Sequence, residues 1–344
     1  MLAETTPLQQ HLSRYQEVTL KGLLDALPKR EPRRYLYDPL AAHLSRVGKS
    51  IRPAICLATC VAFGGKQDDA LPSALALEML HNAFLVHDDV EDESELRRGK
   101  PTMHTEHGVP LAVNAGDTLN ALSLRLFRDN LPVLGQKLTW RVFEEVDHLM
   151  LESLEGQAME LGWIRDKRCD VTEQDYLRMT LKKTCWYSFI HPCRIGAMIA
   201  TRDGIDLDRF NLFGFYLGAA FQIQDDLLNL VGEQEKYGKE IGGDLLEGKR
   251  TLMLVHLLRC SEARDADRIK AFLREPRRNR SSGEVHWLIN QMQRYGSIEY
   301  ARSVLRHLAG AALYEFTHAY GGIENSAEKT FMQHLIEYVA SRDL

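Results

Sequence analysis

The sequence predicts an all-α fold in a single domain spanning residues 1–344, and three observations carry the prediction. Apolar residues recur at helical spacing along most of the chain, as in Leu75, Leu77, Met79, Leu80, Ala83 and Phe84, and again in Phe143, Val146, Met150 and Leu154. Alternating apolar/polar runs flanked by hairpin dipeptides are absent. Breakers fall at intervals that suit long helices. Gly64-Gly65 ends one helix and Leu71-Pro72 starts the next. The acidic pair between them, Asp68-Asp69, sits in a polar turn where helix capping explains it without a metal. Lys167 to Asp170 reads as a polar turn, and Thr172 with Asp175 as a capping box opening the following helix. Pro276 to Gly283 is the most loop-like stretch and the expected mobile one. With no fixed-period repeat and no low-complexity linker, one large helical domain fits better than two.

Composition narrows the function classes. The 344 residues carry 43 Lys+Arg against 48 Asp+Glu, a net charge of −5, which argues against a general binder of nucleic acid or anionic membrane. Hydrophobic residues make up 44% and charged residues 26%, ordinary for a soluble chain that buries a large core. The six cysteines, Cys56, Cys60, Cys169, Cys185, Cys193 and Cys260, form no C-x-x-C pair. Scattered through apolar stretches, they are expected to be buried and reduced, which suits the cytoplasm. The polar N-terminus, Met1 to Gln16, lacks the apolar core of a signal peptide. The longest uncharged apolar run, Ala54 to Phe63, is far short of the roughly 20 residues that span a bilayer. The expectation is a soluble protein with no membrane span and no nucleic-acid partner. A greasy substrate would need an internal apolar channel.

Three constellations carry chemistry. The first is Asp88-Asp89-Val90-Glu91-Asp92, at the end of an apolar helical run. Asp88 and Asp92 are four residues apart, so on a helix their carboxylates share a face and repel. Hard oxygen donors in that arrangement suit Mg²⁺ that also binds substrate phosphates; the bland alternative is a solvated acidic helix end. The second, Asp225-Asp226-Leu227-Leu228-Asn229, repeats the design after the apolar run FGFYLGAAFQIQ. The third is basic. Lys49 and Arg52 are three apart and share a helix face; Arg97-Arg98 follow the first aspartates; Lys183, Lys239, Lys249 and Arg250 complete the set. Lys and Arg clamp phosphate oxygens, although most serve only solubility, the reading retained for Arg277, Arg278 and Arg280. Two acidic walls, a cationic rim and an apolar interior suit a diphosphate joined to a hydrocarbon.

The motifs GKSIRP, LVHDDVEDESELRRGKPT, Lys183-Thr184, FQIQDDLLN and YGKEIGGDLLEGKRT, in this order over about residues 48–250, resemble the trans-isoprenyl diphosphate synthase (polyprenyl synthetase) family. The resemblance implies a bundle of long helices around a deep central cavity, usually a homodimer, and head-to-tail condensation of isopentenyl diphosphate with an allylic diphosphate. It assigns Asp88 and Asp92 to two Mg²⁺ on the allylic diphosphate and Asp225 to a third. Arg97, Lys183, Lys239 and Lys249 would contact that diphosphate. Lys49, Arg52, His81 and Arg98 would bind isopentenyl diphosphate. Thr184 and Gln222 would line the space where the carbocation forms. Trp186 or Tyr187 could also turn a ring toward it. Asn229, where the family often has a third Asp, weakens the second cluster mildly, and Asp244 offers support through water.

The chemistry matches those roles. Departure of diphosphate builds negative charge that metals and cations stabilise. The cation left behind tolerates only weakly nucleophilic dipoles and no free water. The hydrocarbon tail should run along the helix before Asp88. One turn rises about 5.4 Å, close to one isoprene unit, so Ala83 and Phe84, then Leu80, then Ala76 and Leu77 form a ruler. Small Ala83 opens the channel and large Phe84 closes it, depending on rotation. A medium-length product is expected, geranylgeranyl first and farnesyl second. Two rivals stand: a class I terpene cyclase, which needs only one diphosphate site, and a non-catalytic partner subunit, which would be expected to lose carboxylates or clamp cations.

Overall fold

The computed structural model describes residues 7–46, 48–232 and 241–341. Helices are α1 Pro7–Ala26, α2 Asp38–Leu44, α3 Ile51–Ala62, α4 Gln67–Glu91, α5 Met103–His107, α6 Val109–Arg128, α7 Leu131–Leu134, α8 Gln136–Arg165 and α9 Glu173–Thr180. A π-helical stretch, Leu181–Ile190, joins α9 to α10 His191–Thr201. There follow α11 Asn211–Val231, α12 Gly243–Glu247, α13 Leu252–Cys260, α14 Ala263–Arg274, α15 Ser282–Arg294, α16 Ser297–Ala319 and α17 Ala327–Ser341.

The layering follows from residue pattern. From Ile51 to Cys60 every residue of α3 except Arg52 is buried, so this helix is apolar all round and takes the centre. The middle of α4 is buried continuously from Ser73 to Ala83, packed between α3 and α6. On the other side α11 packs against α16 and the π segment, and α8 closes on that segment too. Gly156 of α8 lies against the backbone of Lys182 and Lys183, where any Cβ would collide, so glycine permits the close crossing that brings α8 to the site. Farther along, Glu145 of α8 accepts hydrogen bonds from Arg194 at 2.7 and 2.8 Å, and His191 Nδ1 lies 2.8 Å from it. Burial pushes the Glu145 carboxyl up, but these partners outweigh it and hold it at about 2. Breaking one partner of such a pair costs about 3–5 kcal/mol. Glu145→Ala is therefore expected to lower the melting temperature by several degrees, read by calorimetry.

Several boundaries match expectation. Gly64 ends α3 at φ 85°, with its N–H on Val61 O and that of Gly65 on Cys60 O. Thr172 and Asp175 form the capping box of α9. Others need correction. α4 begins at Gln67, so Asp68 and Asp69 lie in its first turn, not in a turn ahead of it; carboxylates there are favoured by the helix dipole. Lys49 precedes α3, which opens at Ile51 after a left-handed Ser50, so it does not share a helix face with Arg52. Leu96–Arg97 pairs antiparallel with Lys100–Pro101. Arg98 and Gly99 turn that hairpin with φ of 55° and 71°, the signature of a type I′ turn; four strand residues are too few for a periodicity to register. The 276–283 stretch is fastened by arginines expected to be merely solubilising. Arg277 donates to Asp92 O at 2.6 Å, and buried Arg280 donates to Leu246 O at 2.6 Å.

Candidate active site

A cavity of about 900 Å³ opens among α3, α4, α8, α9, the π segment and α11. Of the residues singled out above, Lys49, Arg52, His81, Phe84, Asp88, Arg97, Arg98, Lys183, Thr184, Gln222, Asp225 and Lys249 border it, as do Tyr187, Asp244 and Arg250. Lys239 lies outside the described residues. Asp92, Ala83 and Leu80 are buried and do not border the cavity; Ala83 and Leu80 are fully enclosed in the core.

The apolar α4 delivers Asp88 to one wall in its last turn. Arg97 of the hairpin donates to Asp88 Oδ2 at 3.2 Å and to buried Asp89 at 2.6 Å. Lys183 Nζ and Gln157 Nε2 each reach Asp88 Oδ1 at 3.4 Å. Asp92, just past the helix, accepts Lys249 Nζ at 2.6 Å. Burial pushes the Asp92 carboxyl upward, and Lys249 only partly offsets it. Lys183 also pairs with Glu160. Burial disfavours the charge on Lys183, yet Glu160 and Asp88 outweigh it and keep the ammonium protonated.

The opposite wall comes from α11. Asp225 and Gln222 border the cavity on adjacent turns of one face. Thr184 Oγ1 donates to Gln222 Oε1 at 2.8 Å. Asn229 does not face the cavity; its Oδ1 accepts the backbone N–H of Asp244 at 3.1 Å, which anchors the turn that presents Asp244.

A second basic group comes from the segment before α3, from α3 itself and from the hairpin turn. Arg52 donates to Tyr187 OH at 2.7 Å and to Ser188 at 2.8 Å, and its guanidinium lies 4.4 Å over the Tyr187 ring. Lys49 Nζ stands 5.2 Å from the Tyr338 ring of α17. Arg98 donates to Arg46 O and packs on Gly48, where a Cβ would displace its guanidinium. Burial and the facing arginines push His81 well below its ordinary range, leaving it neutral, and its buried Nδ1 has no hydrogen-bond partner. Tyr187 packs edge-on against Phe84 with ring centroids 5.6 Å apart. Trp186 turns the other way, onto His148 at 4.6 Å.

Sequence reading missed four groups on these walls. Gln157 and Glu160 stand three apart on α8, a spacing that also fits an ordinary solvated face. Tyr176 of α9 carries no local motif. Glu78, 4% exposed beside Arg52 and Arg98, had a signal: a carboxylate inside the apolar run ALALEMLHNAF, three residues before His81.

The donor set fits Mg²⁺. Asp88, Asp225, Asp244 and Glu91 offer hard carboxylate oxygens to the cavity. Among the described residues no three His, Cys, Asp or Glu side chains converge into a metal cage, and Mg²⁺ characteristically takes one or two carboxylates plus substrate phosphates.

The comparisons agree with this geometry. A profile of the polyprenyl synthetase family matches residues 33–292. The chain is 36% identical over 228 residues to the geranylgeranyl diphosphate synthase of Sulfolobus acidocaldarius, covering 66% of this chain and 68% of that protein. It is 30% identical over 320 residues to the geranylgeranyl pyrophosphate synthase of Geoglobus acetivorans, covering 93% and 95%. The crystal structure of geranylgeranyl pyrophosphate synthetase from Pyrococcus horikoshii superposes with a TM-score of 0.84 at 28% identity, covering 97% of this chain and 99% of that one. Helical walls, paired aspartates and cationic clusters thus coincide with a sequence match over most of the length, and the chain belongs to the polyprenyl synthetase family.

Proposed function

We propose that this chain is a Mg²⁺-dependent prenyltransferase that condenses isopentenyl diphosphate head-to-tail with an allylic diphosphate to give a medium-chain all-trans prenyl diphosphate, geranylgeranyl diphosphate foremost and farnesyl diphosphate next. The observation that supports the reading is that one cavity is bordered both by Asp88, Asp225, Lys183 and Lys249 and by a further basic group, Lys49, Arg52 and Arg98, enough for two diphosphates. A cyclase needs only the first. Geranylgeranyl as the main product is supported by the printed activities of the Sulfolobus and Geoglobus relatives.

Bound Mg²⁺, three ions in this reading, supplies Lewis-acid charge at the departing diphosphate. Arg97, Lys183 and Lys249 bind its oxygens from both walls. Lys49, Arg52, Arg98 and neutral His81, as an N–H donor, hold the second diphosphate so that its alkene faces the allylic carbon. Thr184 and Gln222 present weak dipoles to the developing cation, which tolerates no stronger nucleophile.

Two further assignments belong to this reading. Val109, Leu111, Val113 and Leu124 of α6 and Trp140 and Leu151 of α8 are exposed, apolar surface suited to a second copy of the chain, which supports a homodimer as the active form. The six cysteines are unpaired, which supports a cytoplasmic setting; among the described residues no helix is long and apolar enough to cross a membrane.

The test is purified protein with Mg²⁺, isopentenyl diphosphate and each allylic primer in turn, with products sized by chromatography and assembly read by sedimentation. The expected result is elongation requiring both substrates, with a C20 product. A hydrocarbon from farnesyl diphosphate alone would establish the cyclase, and a folded protein inert with every primer would establish the partner subunit. Phe84→Ala is expected to lengthen the product by at least one isoprene unit, because Phe84 with Tyr187 narrows the wall one turn (about 5.4 Å) upstream of Asp88. An unchanged product spectrum removes Phe84 as the floor.

A further inference from the structure

The second aspartate of the α11 pair is engaged in a way its neighbour's role does not explain. Asp226 is buried and both of its oxygens accept hydrogen bonds. Gln222 Nε2 donates to Oδ1 at 2.8 Å and Tyr176 OH donates to Oδ2 at 2.8 Å. At its other end the Gln222 amide accepts Thr184 Oγ1–H at 2.8 Å. Four side chains from α9, the π segment and α11 therefore form one hydrogen-bonded chain along the cavity wall.

Donor and acceptor chemistry gives this chain a direction. Burial pushes the Asp226 carboxyl upward, while the hydrogen bonds donated by Gln222 and Tyr176 favour its ionised form, and a carboxylate only accepts. The end of Gln222 that faces Asp226 must then be its amino group, since the reversed amide would set a carbonyl oxygen 2.8 Å from a carboxylate oxygen. Oε1 is left for Thr184, and Oε1 only accepts, so the single hydroxyl proton of Thr184 is committed to it. What Thr184 presents to the cavity is its oxygen lone pairs. The phenol of Tyr176, itself 1% exposed, holds Asp226 in register from behind.

We propose that Tyr176 and Asp226 are positioning residues that set the polarity of Thr184, so that lone pairs rather than a hydroxyl proton face the allylic carbon as it becomes positive. This rests on the allylic-diphosphate reading of the site. When the carbon–oxygen bond breaks, the electron pair leaves with the diphosphate and the carbon skeleton keeps the positive charge. Thr184 contributes only its dipole, forming no bond and moving no proton. An outward hydroxyl hydrogen would oppose the same charge, so the orientation matters more to the cation than to the neutral substrate.

Calorimetric binding with Mg²⁺ present separates these states without turnover. The probes are dimethylaminoethyl diphosphate, protonated at neutral pH, and isoamyl diphosphate, its neutral carbon counterpart. Tyr176→Phe and Asp226→Asn are expected to weaken the cationic probe about tenfold or more, as for a lost bond to a charged group, and the neutral one less than about twofold. Asp226→Asn is the sharper variant, because an amide carries a donor as well as an acceptor and no longer dictates which end of Gln222 it meets. In a Thr184→Val background both losses should vanish, whereas a simple charge effect of Asp226 would persist. Equal losses on both probes, no loss, or losses that survive Thr184→Val overturn the proposal; melting curves of each variant confirm folding. Failure of the unmodified protein to bind either probe defeats the allylic reading and this proposal with it. Normal probe binding without condensation defeats only the reaction assigned above.

Discussion

Asp88→Asn is expected to lower kcat on the order of 10³-fold, the scale of removing one preorganised electrostatic contact from a transition state. Asp88 is the carboxylate on which Arg97, Gln157 and Lys183 converge, at 3.2, 3.4 and 3.4 Å. Neutralising it would leave Arg97 and Lys183 beside the proposed Mg²⁺ site with one fewer balancing charge. The Mg²⁺ concentration for half-maximal rate should rise alongside the fall in kcat, which initial rates over a Mg²⁺ series will show. Asp89→Asn is the informative contrast. Asp89 is buried against Arg97 and does not border the cavity, so its loss should lower stability more than it alters Mg²⁺ dependence. An Asp88→Asn protein within tenfold of the unmodified rate would remove this carboxylate from the metal site.

Lys183→Ala is expected to cost about 10²–10³ in kcat, by a different route. Its ammonium joins Asp88 on α4 to Glu160 on α8, so truncation deletes the contact proposed above for the diphosphate and also leaves Glu160, 6% exposed, without its cation. An uncompensated buried charge is the larger part of such losses. Adding Glu160→Gln to Lys183→Ala should therefore recover part of the stability while leaving kcat low. Thermal melts and steady-state rates on the same preparations separate the two effects. If the double variant melts below the single one, the Lys183–Glu160 pair is not the strut described.

The paired aspartates and the basic motifs were legible because each is a local string whose chemistry survives without the fold. The all-α class was legible because helical periodicity is local too. What escaped reading depends on contacts between distant segments. Nothing around Tyr176 announces that its hydroxyl meets Asp226, fifty residues on. Arg280 resembled a solvated cation until the fold placed Leu246 O beside it. Asp92 shared the spacing of a metal ligand with Asp88, yet the chain past α4 turns it toward Lys249, off the cavity wall. Ala83 and Leu80 were placed on a ruler by spacing alone, and helix rotation sets only Phe84 of the three on the wall.

The six-residue hairpin Leu96–Pro101 carries two arginines in succession. Its two-residue turn sends Arg97 toward Asp88 and Asp89 and Arg98 toward Gly48 and the carbonyl of Arg46. Two adjacent side chains thereby reach different neighbours on the cavity wall. A single-residue insertion there would break the two-residue turn whose positive φ at Arg98 and Gly99 aims the two side chains apart, so both arginines would lose their partners. Deletions and duplications should be tolerated elsewhere on the rim long before they are tolerated between Glu95 and Pro101.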